Sequence, residues 1–144
     1  MSLKAFNYGA NAVCLFKNNH KYGMICSWAM QVDYDKILLL LGSQSVTGQV
    51  IEKGDIIGVS ALSSGQEKVV EKLGDGHSDL IDKFKDLDYY IEQNAILIKN
   101  ASVNMVVEVL DVLHLPGIEE DKLVYGLIKS YNLNNIPMLT PRIV

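Results

Sequence analysis

Residues 37–41 read Ile-Leu-Leu-Leu-Leu and are closed by Gly42. No polar residue interrupts the run, so a strand here needs apolar cover on both faces. It falls far short of the ~20 apolar residues that a membrane helix requires. A chain built around such a strand must place a layer on each side of it. The length of 144 residues and the hydrophobic content of 49% suffice for that, and residues 1–144 read as one domain with a real core.

The rest of the chain is punctuated into short elements. Residues 12–17 form a strand candidate, Asn18-Asn19-His20 a turn, and residues 21–28 the returning strand. Residues 31–36 read as a polar bend. A short helix is expected over 47–53, with Gly54 placed to end it. A strand weakened by Gly58 follows over 56–61. Ser64-x-x-Glu67 reads as a capping box that opens a helix with Val69, Val70 and Leu73 on its apolar face. Leu80, Ile81 and Phe84 line a second short helix, and residues 89–98 mix strand signals with polar residues. Residues 102–113 alternate, with Val103, Met105, Val107 and Val109 on one face. Pro116-Gly117 is a turn, and residues 123–128 are the last strand. The pattern predicts a mainly β fold with two or three small helices, a β-barrel with helical insertions.

Charge and cysteine usage narrow the function classes. Thirteen basic against seventeen acidic residues give a net charge of −4, which is unsuited to a nucleic-acid surface. Arg142 is the sole arginine. Cys14 and Cys26 form no CxxC pair, so reduced thiols and a cytoplasmic setting are expected. No signal-peptide pattern is read at the N-terminus. His20, His77 and His114 share no metal-ligand spacing. Asp33 and Asp35, like Glu119-Glu120-Asp121, read as solvated loops. Nucleophile elbow, Walker loop and dinucleotide fingerprint are all missing.

Two stretches carry candidate chemistry. Gly42, Ser43, Ser45 and Thr47 lie between a buried strand and a helix start, where hydroxyls and backbone amides suit a phosphate; ordinary helix capping explains them equally. Cys26-Ser27-Trp28-Ala29-Met30-Gln31 offers small and aromatic residues against which a flat ring can pack. The plain alternative is that Trp28 and Met30 are core. Cys26 reads as a small buried hydrophobe rather than a redox thiol.

In order and spacing, these residues resemble the flavin reductase-like, FMN-binding split-barrel family, flavoredoxins and the flavin domain of high-molecular-weight rubredoxins included. The resemblance covers residues 1 to about 130. It is carried by Tyr22-Gly23-Met24 with Cys26 to Val32, by the ILLLLG strand, by Ser43 to Ile51, by Ile57-Gly58-Val59-Ser60-Ala61-Leu62-Ser63 and by Asp82-Lys83-Phe84. It implies a Greek-key split β-barrel that dimerises and binds FMN without a covalent link. By the same resemblance Ser27 to Gln31, with Cys26 beside them, contact the isoalloxazine and ribityl chain. Gly42, Ser43, Ser45 and Thr47 hold the phosphate, and Lys83 and Phe84 close the site. Electrons would pass from NAD(P)H or a small iron protein through FMN to an acceptor. The chain departs from the family in lacking a basic residue in the phosphate segment, in Gly48-Gln49, in Tyr22 and in a shortened region between Phe84 and Ala95. Those departures leave a non-catalytic dimeric binding or regulatory module as the alternative.

Overall fold

The computed structural model describes residues 3, 5–6, 9–74 and 82–139. The elements in chain order are β1 (Asn11–Lys17), β2 (His20–Cys26), β3 (Ala29–Asp33), β4 (Lys36–Leu41), α1 (Val46–Val50), β5 (Ile56–Ala61), α2 (Glu67–Gly74), β6 (Tyr89–Glu92), β7 (Ala95–Ile98), β8 (Val103–Leu113) and β9 (Lys122–Leu133). All strand pairs are antiparallel. The sheet runs β3-β4-β9-β8-β5-β1-β7-β6, and β2 pairs with β1 outside that path.

β1 is the hub. It pairs with β2 along its whole length, with β5 over Asn11 to Cys14 and with β7 at Leu15. The sheet curls but does not close, because β2 and β4 face each other without a ladder. The gap is bridged by the Cys26 thiol, whose Sγ lies 3.5 Å from the Leu40 carbonyl. This is the predicted fold, a mainly β split barrel with small helices.

Inside the curl, Ile37, Leu39 and Leu41 of β4 pack with Val13, Leu15, Ile57 and Val107. Leu38 and Leu40 on the other face of β4 are half-buried, so cover on that side is partial. The alternation of β8 also holds. Met105, Val107 and Val109 join the main core, while Val106 on the opposite face packs with Ala95 and Leu97. Gly58 is required rather than merely tolerated. A Cβ there would run into the carbonyl of Ile96, so only glycine lets β5 pass this close to β7.

Several boundaries differ from expectation, each for a local reason. The strand after the Asn18-Asn19 turn stops at Cys26, and residues 29–33 form β3 instead of a bend. Both asparagines take positive φ, 53° and 63°, as a two-residue hairpin demands. The ambiguous stretch 89–98 is a second hairpin of this kind, turned by Gln93 and Asn94 at φ 53° and 74°. α1 ends at Val50, because Ile51 turns extended to enter the core fully buried. Gly54, at φ 94°, shapes the turn that follows. Ahead of α2 the Ser63 amide donates to Gln66 Oε1 at 2.9 Å, one residue earlier than the Ser64–Glu67 box expected. Of the helix expected over Leu80, Ile81 and Phe84, residues 80 and 81 lie outside the described residues, as does His77, and residues 83–86, Phe84 among them, form turns instead of a helix. β9 runs well past 128, to Leu133, and the segment after it returns to the middle of the chain. There the Leu139 amide donates to Leu62 and the Ser64 amide to Pro137, both at 2.8 Å.

Candidate functional site

A cleft of about 480 Å³ opens where β2, the loop after β4 and the end of α2 meet. That size lies within the ~300–1,000 Å³ of small-molecule sites. Met24, Ile25, Val46 and Leu73 make its apolar walls. Gly42, Gln44 and Ser45 line it from the loop, and Lys83 supplies a cation. Among the described residues no carboxylate lines it. The arrangement suits a ligand with a flat apolar body and an anionic end.

The loop wall is fixed by local bonds. Ser45 caps α1, accepting from the Gly48 amide at 3.2 Å. Its hydroxyl donates to Met24 Sδ at 3.4 Å, tying the loop to β2. The Gln49 side chain donates to the Ser43 carbonyl at 2.8 Å. The Ser43 amide donates to Asp121 Oδ1 at 3.0 Å.

Lys83 is only 7% exposed. Its ammonium donates to the Leu73 carbonyl at 2.9 Å and to the Gly23 carbonyl at 3.4 Å, which holds a buried charge against the cleft by charge-assisted bonds. Gly23 makes this possible. A Cβ there would stand 2.7 Å from Phe84 Cζ and 2.9 Å from Leu73 Cδ2. The Phe84 ring therefore packs into the space glycine leaves, with Tyr89 edge-on to it at 5.4 Å, and the residue before it is delivered to the cleft.

Of the residues singled out in the sequence, Gly42, Ser45 and Lys83 come together in the cleft lining. Ser43 is half-buried between them in the chain, its amide turned to Asp121. Thr47 is 1% exposed within α1, and Phe84 is buried behind the wall; neither lines the cleft. Ser27, Trp28, Ala29, Met30 and Gln31 are all exposed, with Trp28 at 59% and Met30 at 60%, so the reading of Trp28 and Met30 as core does not hold. They also stand outside the cleft lining. The Leu40 amide donates to the Trp28 carbonyl at 2.9 Å, which sets Trp28 two residues from Gly42 along the rim. Met24, Ile25 and Gly74 are cleft residues that sequence reasoning missed. The Leu73–Gly74 helix end carried no ligand signal beyond its apolar periodicity.

The cysteines are buried and unpaired by disulfide. Burial pushes the Cys26 thiol up to about 11 and the Cys14 thiol to about 12, the Lys83 charge pulling the latter the other way. At pH 8 a thiol at about 11 is ionised only to about one part in a thousand. Native protein treated with iodoacetamide at pH 8 is therefore expected to stay unmodified over times that fully alkylate the urea-unfolded chain. Rapid native modification of Cys26, read by mass spectrometry, would contradict its burial. Among the described residues no three His, Cys, Asp or Glu side chains group as metal ligands, and no helix is long and apolar enough to cross a membrane.

A split barrel with an apolar cleft, a hydroxyl loop and one buried lysine defines a class, and the comparison of sequences agrees. The chain belongs to the flavin reductase like domain family, whose model matches residues 4–140. Solved structures share the fold. The NADH:FAD oxidoreductase SgcE6 of Streptomyces globisporus C-1027 is 21% identical with a TM-score of 0.79, over 89% of this chain and 76% of that one. A flavoredoxin from Methanosarcina acetivorans is 15% identical with a TM-score of 0.78, over 93% and 73%. An FMN-binding protein from Thermus thermophilus, solved with p-hydroxybenzaldehyde, is 14% identical with a TM-score of 0.79, over 91% and 74%. No curated protein matches the sequence.

Proposed function

We propose that this protein is an FMN-binding redox protein of flavin reductase type, working as a homodimer. The observation that carries the reading is the cleft itself, where the Gly42–Ser45 loop, the buried Lys83 and an apolar wall meet in a member of this family. Bound flavin supplies the hydride and electron chemistry; the protein contributes binding, orientation and electrostatics. Ser45 and the loop amides, with Lys83, are the groups suited to the phosphate. Met24, Ile25 and Leu73 are suited to the flat apolar part. Lys83, held against two carbonyls, is the group placed to meet a dianion.

The exposed rim completes the picture. β3 is an edge strand whose five residues are all exposed. Met30 and Val32 within it and Trp28 just before it stand open. Open apolar side chains on a sheet edge favour cover by a partner, and a second copy there would give the ring its outer wall near Trp28. The donor fitting this architecture is a reduced nicotinamide or a small electron-transfer protein.

One observation favours the alternative of a non-catalytic module. Among the described residues Lys83 is the only cation in the cleft lining, and the Ser43 amide is already bonded to a carboxylate. Sedimentation followed in the visible band of the flavin separates these readings. Added FMN is expected to move with a species of twice the mass of one chain, and NADH or NADPH to bleach it. Flavin left free at tens of micromolar protein would overturn the FMN reading, and colour on a single-chain species would overturn the dimer. Bound FMN that no reduced nicotinamide bleaches would leave the small electron-transfer protein as the donor to test.

A further inference from the structure

Residues 42–51 furnish the polar wall of the cleft, yet they contain only the five-residue α1, too short to hold a shape by itself. Their ends are held from elsewhere in the chain. At one end Asp121 Oδ1 accepts from the Ser43 amide at 3.0 Å. At the other, Lys122 Nζ donates to the Gln49 carbonyl at 2.7 Å and to the Ile51 carbonyl at 2.8 Å. Lys17 takes the carbonyl between them, Val50, at 2.7 Å, and is itself paired with Asp55 at 2.8 Å. A carboxylate thus meets the amide end and ammonium groups meet the carbonyl end, the signs that a helical turn favours.

We infer that Asp121 and Lys122 are positioning residues, an adjacent pair of opposite charges that clamps the 42–51 segment by both ends and sets the Gly42–Ser45 wall of the cleft. The delivery is topological. β9 pairs with β4 so that Lys122 stands opposite Leu41, which brings the residue before β9 beside the loop that leaves β4. The ladder that builds the barrel therefore also places the clamp. The inference takes its ligand from the FMN reading above, but its first readout needs no ligand.

The carboxylate brings a second effect of opposite sign. Its negative charge lies within a Debye length of the loop that faces an anionic ligand, so removing Asp121 loosens the wall and relieves repulsion together. A charge-matched pair separates the two. Asp121→Asn and Asp121→Ala both lack the charge, and only the asparagine keeps an acceptor for Ser43. In the apoprotein, exchange of the Ser43 amide with deuterium is expected to be faster in Asp121→Ala than in Asp121→Asn. In the Lys122→Met variant the Gln49 amide is expected to exchange faster than in the wild type. FMN is expected to bind Asp121→Asn about threefold to tenfold more tightly than Asp121→Ala, the range of one neutral hydrogen bond. Equal exchange and equal affinity in the two Asp121 variants would overturn the inference. Faster exchange in Asp121→Ala with no FMN bound by any variant or by the wild type would support the clamp and overturn the flavin reading. If Asp121→Ala does not fold, Lys122→Met decides, and an unchanged Gln49 exchange rate there counts against the clamp.

Discussion

Gly58→Ala is expected to lower the folding stability by roughly 3 kcal/mol or more, the upper end for overpacking a core. The added methyl meets the carbonyl of Ile96, backbone against backbone. Neither side can yield by changing a rotamer. Gly58 is laddered to Cys14 on one side and to Val106 on the other, so any retreat of β5 breaks pairing with β1 or β8. Gly54→Ala provides the contrast. Gly54 has φ 94° and nothing near its missing Cβ, so the substitution carries only the cost of left-handed backbone, ~1–2 kcal/mol. Urea unfolding of both variants checks the order. A Gly58→Ala midpoint equal to or above that of Gly54→Ala would refute the close approach of β5 to β7.

The second large effect is on affinity. Lys83→Met is expected to weaken FMN by about 10- to 100-fold, or ~1.4–2.7 kcal/mol, while affecting riboflavin far less. The reason is charge: FMN and riboflavin share the ring and differ in the phosphate, and Lys83 is the one cation lining the cleft among the described residues. The buried setting of the ammonium, fixed by the Leu73 and Gly23 carbonyls, strengthens its field relative to a solvated lysine. Methionine has similar reach and no charge. It leaves the two carbonyls without this donor, so thermal unfolding of the apoprotein is measured alongside to separate stability from binding. Wild-type affinity for FMN should fall with added salt more steeply than that of the variant. An FMN-to-riboflavin affinity ratio unchanged by the substitution would remove Lys83 from the phosphate site.

Much of the fold is legible in the sequence because its signals are local. The Asn18-Asn19 turn, the unbroken 37–41 run and the alternation of 103–109 each fix a strand without knowledge of its partner. The hairpin over 89–98 was obscured because Gln93, unlike glycine, does not announce a positive φ. The site was legible only in part. Ser45 and Lys83 lie 38 positions apart in the chain and meet because Gly23 admits the Phe84 ring, a packing fact that periodicity does not contain. Asp121 looked like part of a solvated acidic turn for the same reason: its partner, the Ser43 amide, is 78 residues away. For Trp28 and Met30, placed at the ring by the family resemblance with core as the plain alternative, only the alternative is overturned, since both are exposed; nothing local in the sequence marks them as belonging to an exposed edge.

The central position of β1 has a consequence for how the chain is made. During synthesis the first strands can form only the β1–β2 and β3–β4 hairpins. The other partners of β1 arrive with Val59 and Ala95, and β4 waits until Gly126 can pair with Ile37. Such non-local pairing is slow, and until it is complete the 37–41 run stays open along one edge as a β-prone, uncharged segment of the sort that seeds aggregation. The segment that ends as the inner wall of the barrel is thus the one a nascent chain most needs to have shielded, and Asp33, Asp35 and Lys36 just before it are flanking charges of the kind that oppose such association.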